Sequence, residues 1–184
     1  MRWKNDAHRY SSPSIALHWA MVVLVVGAYA SAELREAFAH GSAQRVGLMS
    51  AHALAGLAVF VLVFARLALR AGPRPGIVPA PSRLQAILAV AMHVLLYAFM
   101  VAMPLLGWLL VSAEGTDVAF GAFRLPPLVA PDRALAELAE DLHEGIATIG
   151  YALVGGHAGA ALVHHYLMHD DALRRMLPWR AKRR

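Results

Sequence analysis

The sequence predicts an all-α integral membrane protein, a four-helix bundle with both termini cytoplasmic, and three observations lead there. Apolar residues make up 59% of the 184 and charged residues only 16%, which leaves too little polar surface for a water-soluble domain. Four segments, 14–32, 46–69, 84–111 and 142–168, each supply the roughly 20 mostly apolar residues that a crossing of the hydrocarbon core requires. The basic residues flank these segments unevenly, and Lys and Arg beside a span stay on the cytoplasmic side.

The first segment follows Arg2, Lys4 and Arg9 and ends Ala28-Tyr-Ala-Ser-Ala32, a pattern shared with cleavable signal peptides. A signal peptide has no use for His18 inside the run, so the segment is read as a permanent helix. None of the four spans carries the polar stripe of a helix in a soluble bundle. Orientation follows from charge. The N-terminus, the second connection (Arg70, Arg74, Arg83) and the tail (Arg174, Arg175, Arg180, Lys182, Arg183, Arg184) are basic. The first and third connections set Arg35, Arg45, Arg124 and Arg133 against Glu33, Glu36, Glu114, Asp117, Asp132, Glu137 and Glu140.

The formal charge of +5 is thus spread over membrane flanks rather than gathered on one folded surface, so no nucleic-acid partner is expected. Cysteine is absent, which excludes disulfides, thiolate-ligated iron and covalently attached c-type haem. The connection 71–82 carries four prolines and reads as a stiff extended link. In the third connection, residues 131–140 have helical composition, with Leu135, Leu138 and Leu142 on one face, and are expected to form a short helix on the periplasmic membrane surface. Pro104 is expected to kink the third span. The whole chain, 1–184, reads as one domain.

The histidines carry the chemistry. An ionisable side chain at membrane depth is costly and is presumed to face the bundle interior and bind something. Every span has at least one: His18, His52, His93, then His143, His157, His164 and His165 in or ending the fourth. His143 and His157 are 14 residues apart, about 21 Å of rise and nearly whole turns, so they share a face. Two centres stacked across the bilayer suit that spacing better than one. His164 stays on the same face and His165 does not. By depth, His52 matches His143 near the outer surface and His18 matches His157 nearer the inner one. Facing imidazoles on bundle helices are how a low-spin b-type haem is held. Gly56, Gly145, Gly150, Gly155, Gly156 and Gly159 leave room for a porphyrin, although small residues also serve ordinary helix packing.

Three roles stay open for His93: a ligand in place of His18, a wall of a substrate pocket with His164, or a hydrogen bond to a carbonyl. Arg66 and Arg70, one turn apart, can meet haem propionates or snorkel to the headgroups. His8, His40 and His169 fall outside the spans.

These residues resemble the bacterial cytochrome b561 proteins of the inner membrane over nearly the whole chain. The resemblance rests on Ile15-Ala-Leu-His-Trp19, Ser50-Ala-His52, Ala65-Arg-Leu-Ala-Leu-Arg70, His143-Glu-Gly-Ile-Ala147, and His157 followed by Ala161-Leu-Val-His-His-Tyr166 and Leu173-Arg-Arg-Met-Leu-Pro178. It implies two haem b groups, with His18 and His157 on the inner one and His52 and His143 on the outer. It also implies oxidation of periplasmic superoxide with ubiquinone as acceptor, which makes His93 and His164 candidates for the quinone site. A cytochrome subunit serving a dehydrogenase, with a protein electron donor, keeps the haems but changes the role. A His-lined metal-ion transporter dispenses with them, although such paths usually add carboxylates or thiolates.

Overall fold

The fold is that of a computed structural model, which describes residues 10–70, 75–116, 118–120 and 123–178. Arg2, Lys4, His8, Arg9, Arg74, Asp117, Arg180, Lys182, Arg183 and Arg184 lie outside the described residues. Four long helices dominate: α1 Ser12–Leu34, α2 Ala43–Arg70, α3 Arg83–Ala113 and α4 Arg133–Tyr166. All four are long and apolar enough to cross a membrane. A 3-10 turn, Arg35–Ala37, follows α1, and a short helix α5, Ala172–Met176, follows α4.

Local chemistry starts the helices. Ser11 caps α1 by accepting from the Ser14 N–H at 3.3 Å, with Pro13 in the first turn where its missing N–H costs nothing. At α3, Ser82 and Gln85 form a reciprocal capping box. Asp132 caps α4 by accepting from the Leu135 N–H at 3.1 Å.

That last cap corrects one expectation. Residues 131–140 do not form a separate surface helix; from Arg133 onward they are the opening turns of α4. No Gly or Pro lies between Arg133 and Glu144, so nothing stops the helix once Asp132 has started it. The rest of the third connection adds a small antiparallel pair, β1 Val118–Phe120 with β2 Phe123–Leu125, registered Val118 to Leu125. This connection folds back onto α3: the Trp108 indole N–H donates to the Pro126 carbonyl at 2.9 Å, and Ser112 Oγ accepts from the Leu128 N–H at 3.1 Å. Pro104 lies inside α3, which runs through it unbroken.

The bundle is apolar outside. Val23, Val61, Leu88, Ile149 and Leu162 are each more than half exposed, the pattern of helices solvated by lipid. Its small core joins α1, α2 and α3, where Met21, Val59 and Val63 pack with Leu24, Val25 and Tyr97. α1 packs along α2, α3 along α4, and α2 against α3, while no comparable backbone packing joins α4 to α1 or α2. Side chains bridge that gap. The Tyr29 hydroxyl donates to the Ala147 carbonyl at 2.7 Å, the Tyr29 and Tyr151 rings lie 4.3 Å apart, and the Tyr151 hydroxyl donates to Glu33 at 2.5 Å. The start of α1, the second connection and the segment after α4 share one face, called here the terminal face, because Trp19 and Val78 both bond to the segment that follows α4.

Gly150 is the tightest point. A Cβ there would overlap the Tyr29 hydroxyl and the Phe99 ring, so only glycine lets α4 sit this close to both. Gly150→Ala is expected to cost about 1–3 kcal/mol through overpacking, read as a lowered melting temperature of the detergent-solubilised protein. An unchanged melting temperature would show that the Tyr29 and Phe99 contacts yield freely.

Candidate functional site

Two histidine pairs span the gap between α4 and its neighbours. The His52 and His143 rings, on α2 and α4, have centroids 6.0 Å apart. The His18 and His157 rings, on α1 and α4, are 6.3 Å apart. Two imidazole nitrogens bound to one metal at about 2.0–2.1 Å each put the ring centroids roughly 6–6.5 Å apart, so both pairs fit axial positions on a single ion. A bare ion needs more ligands than two. Among the described residues no group of three or more His, Cys, Asp or Glu side chains converges to supply them. An imidazole pair alone suits a metal whose equatorial positions come from a macrocycle.

Helix geometry explains how each pair forms. On α2, residues 52, 59, 63, 66 and 70 are separated by 7, 4, 3 and 4 positions, so His52, Val59, Val63, Arg66 and Arg70 share one stripe. Buried Val59 and Val63 fix that stripe inward and carry His52 with it. His52 Nδ1 is 2.9 Å from the Ala28 carbonyl of α1. A carbonyl only accepts, so Nδ1 carries the proton and Nε2 keeps the lone pair that a metal would use. His143 Nδ1 is buried without a hydrogen-bond partner. Gly107 makes room for this ring, since a Cβ there would come within 3.3 Å of it.

A cavity of about 560 Å³ opens between these residues, lined by His52, Gly56, Met103, Gly107, Trp108 and His143 among others. Its size falls in the usual range for small-molecule and cofactor sites. Gly56 adds no bulk to it; a Cβ there would meet nothing. Leu125 of the third connection reaches its wall, and its rim carries Glu33, Glu36, Glu140 and Glu144 with Arg35.

At the other pair, His93 also lies near His157, with ring centroids 5.6 Å apart. Its Nδ1 is 2.5 Å from the Ala89 carbonyl of its own helix, and so donates. His157 therefore stands between two candidate partners. Arg66 and Arg70 both reach Tyr97: Arg66 Nε donates to the phenol oxygen at 3.2 Å, and the Arg70 guanidinium lies 5.4 Å from the ring centroid. Arg66 Nη1 is buried without a partner, an unfilled donor of the kind an acidic substituent would satisfy.

Two turns below His157, His164 is held by a residue that sequence reasoning missed. Its Nδ1 lies 2.5 Å from Oδ2 of Asp170, which is only 6% exposed. His165 points elsewhere, and its Nδ1 is buried without a partner. Beside it, Asp171 Oδ2 accepts from Arg175 at 2.6 Å and its Oδ1 from the Val78 N–H at 2.9 Å. Burial pushes the Asp171 carboxyl up, but the hydrogen bonds and charge from Arg175 and the Val78 bond outweigh it and hold it below the usual carboxylate range. Tyr29, Glu33, Phe99, Tyr151 and Asp170 were not anticipated either. Only Tyr29 leaves a signal, 11 residues from His18 and so on the same face of α1. His40 and His169 are exposed and outside the bundle.

Because its folded pKa is depressed, Asp171 contributes stability that is present above its unfolded value, about 3.9, and lost as pH falls through the lower folded value. Tryptic cleavage after Arg174 or Arg175 should therefore be slow at neutral pH and accelerate in Asp171→Ala. Equal cleavage rates would show that the ion pair does not fasten this segment.

The family described as prokaryotic cytochrome b561 matches residues 9–179. "Cytochrome b561 homolog 1" of Escherichia coli (strain K12) is 40% identical over 174 residues, covering 94% of this chain and 99% of that protein. "Probable superoxide oxidase CybB" of Yersinia pestis is 35% identical over 172 residues, 92% of this chain and 96% of its own length. "Cytochrome b561 homolog 2" of Escherichia coli (strain K12) is 30% identical over 179 residues, covering 96% and 95%.

Proposed function

The chain belongs to the prokaryotic cytochrome b561 family and is a multi-pass bacterial membrane cytochrome, and from that premise we propose that it carries electrons across the inner membrane through two b-type haems. The observation that carries this reading is the pair of imidazole pairs, 6.0 and 6.3 Å between centroids, joined by one helix. His52 and His143 would hold the haem nearer the periplasm, His18 and His157 the one nearer the cytoplasm, with both termini cytoplasmic as the flanking charges favour. When bound, each haem supplies a reversible one-electron store.

The protein's own residues do the rest. Ala28 fixes the tautomer of His52, and Arg66 and Arg70 offer cationic contacts for propionates near the inner pair. His93, its Nδ1 already committed to Ala89, and His164, oriented by Asp170, are candidates to contact ubiquinone and pass protons to it. The balanced reaction takes one electron from each of two superoxide ions, releasing two oxygen molecules, and delivers both electrons with two protons to one quinone. Superoxide as donor is supported by the name of the Yersinia pestis relative.

The rim of the outer cavity favours a second reading of the donor. Glu36 is paired with Arg35 and Arg45, while Glu33, Glu140 and Glu144 keep this lining acidic, which repels an anion and attracts a cation. A basic electron-donating protein, as a dehydrogenase subunit would provide, suits that rim.

The purified protein should show a Soret band and, after dithionite, a sharp α-band. His52→Ala and His157→Ala should each remove about one haem equivalent, and loss from neither would refute the pairing. His18→Ala should cost a haem while His93→Ala keeps both; the reverse would make His93 the ligand. Superoxide decay followed by stopped flow should accelerate when a short-chain quinone is added. A rate indifferent to quinone and to rim charge, as in Glu33→Gln, would leave superoxide without support.

A further inference from the structure

The segment after α4 contains a buried cation that is only half complemented. Arg175 is 7% exposed. Its Nη2 meets Asp171, while its Nε and Nη1 are buried without partners. A guanidinium is always charged and carries five donors, so burial with one carboxylate on one nitrogen leaves strong donors unsatisfied. Neither nearby carboxylate meets those two nitrogens. Asp171 spends its other oxygen on the Val78 N–H, and Asp170 spends its two on His164 and the Ala172 N–H.

α5 is tied to α1 at the residue that follows His18. The Trp19 indole N–H donates to the Met176 carbonyl at 2.7 Å, and Trp19 adjoins His18, with ring centroids 5.6 Å apart. Arg175 is thus one residue from an anchor to the neighbour of a proposed ligand. Arg66 of α2, whose Nε donates to Tyr97, also has a buried unpartnered Nη1. Two incomplete guanidinium groups accompany one ring pair, and a b-type haem carries two propionates.

We propose that Arg175 is an oxyanion-binding residue of the inner cofactor site, taking one haem propionate while Arg66 takes the other, so that the segment 167–178 is part of that site. This rests on the two-haem reading above. A lipid headgroup phosphate offers the same oxyanion chemistry and is the other source.

The test is a spectroscopic redox titration of the purified full-length holoprotein, with haem content and co-purified phospholipid measured on the same samples. Removing a cation beside a haem favours its oxidised, more positive form. Arg175→Gln should therefore lower the midpoint potential of the haem that His157→Ala removes and leave the other unchanged. Arg175→Lys keeps the charge without the fork and should give a smaller shift in the same direction; it carries the test if Arg175→Gln does not accumulate. Potentials equal to wild type in whichever variant is obtained overturn the proposal. Loss of bound phospholipid with unchanged potentials overturns it as well, in favour of the headgroup. A wild-type protein without haem would instead defeat the two-haem reading, whereas two haems with an unmoved inner potential defeat only this inference.

Discussion

The constraint on which the rest depends is the cost of placing imidazoles inside lipid. An unbound, unpaired polar ring at that depth is expensive, and α4 alone brings His143 and His157 into the span. The bundle answers by facing each ring with another and leaving α4 without close backbone packing against α1 and α2. An apolar four-helix bundle with no cofactor would close that gap, because nothing in lipid tails rewards an internal void and close packing is what drives helices together. The opening beside His52 and His143 is space of cofactor size, and the core of Met21, Val59 and Val63 holds α1, α2 and α3 together.

Tyr29, Phe99 and Gly150 occupy a special place in this scheme. Gly150 is seven residues from each of His143 and His157, so the closest approach at any described glycine falls midway between the two pairs. There α4 is held from two sides, by the Tyr29 bond to Ala147 and by the Phe99 ring pressed toward Gly150. Tyr29 and Phe99 thus meet α4 between the two histidine pairs.

How much of this was legible depended on whether the signal was local. The spans, the 14-residue spacing on α4 and the depth matching of His18 and His52 follow from one helix at a time, where rise and turn are fixed numbers; the ring centroids of the depth-matched pairs lie 6.0 and 6.3 Å apart, and His93 comes within 5.6 Å of His157. The contacts missed are those between partners distant in sequence, such as Glu33 with Tyr151 or Trp19 with Met176, which no periodicity announces. Asp170 and Arg175 were invisible for another reason. In sequence they sit in a short charged tail that reads as membrane-flanking, and only the fold turns that tail back under the bundle. The third connection misled in the opposite way: its leucine periodicity was real, but it belonged to α4 and not to a separate element.

One consequence of α4 reaches beyond the architecture. Since both pairs draw a ring from it, the stretch between His143 and His157 works as a ruler with no adjustment. Deleting or inserting a single residue there swings one ring by about 100° relative to the other, which no rotamer change recovers. Substitutions in that stretch are graded in effect, whereas length changes are all or nothing. The third connection, whose Leu125 lines the outer cavity, carries no such ruler. Changes of length or charge in that connection leave the spacing of His143 and His157 along α4 untouched.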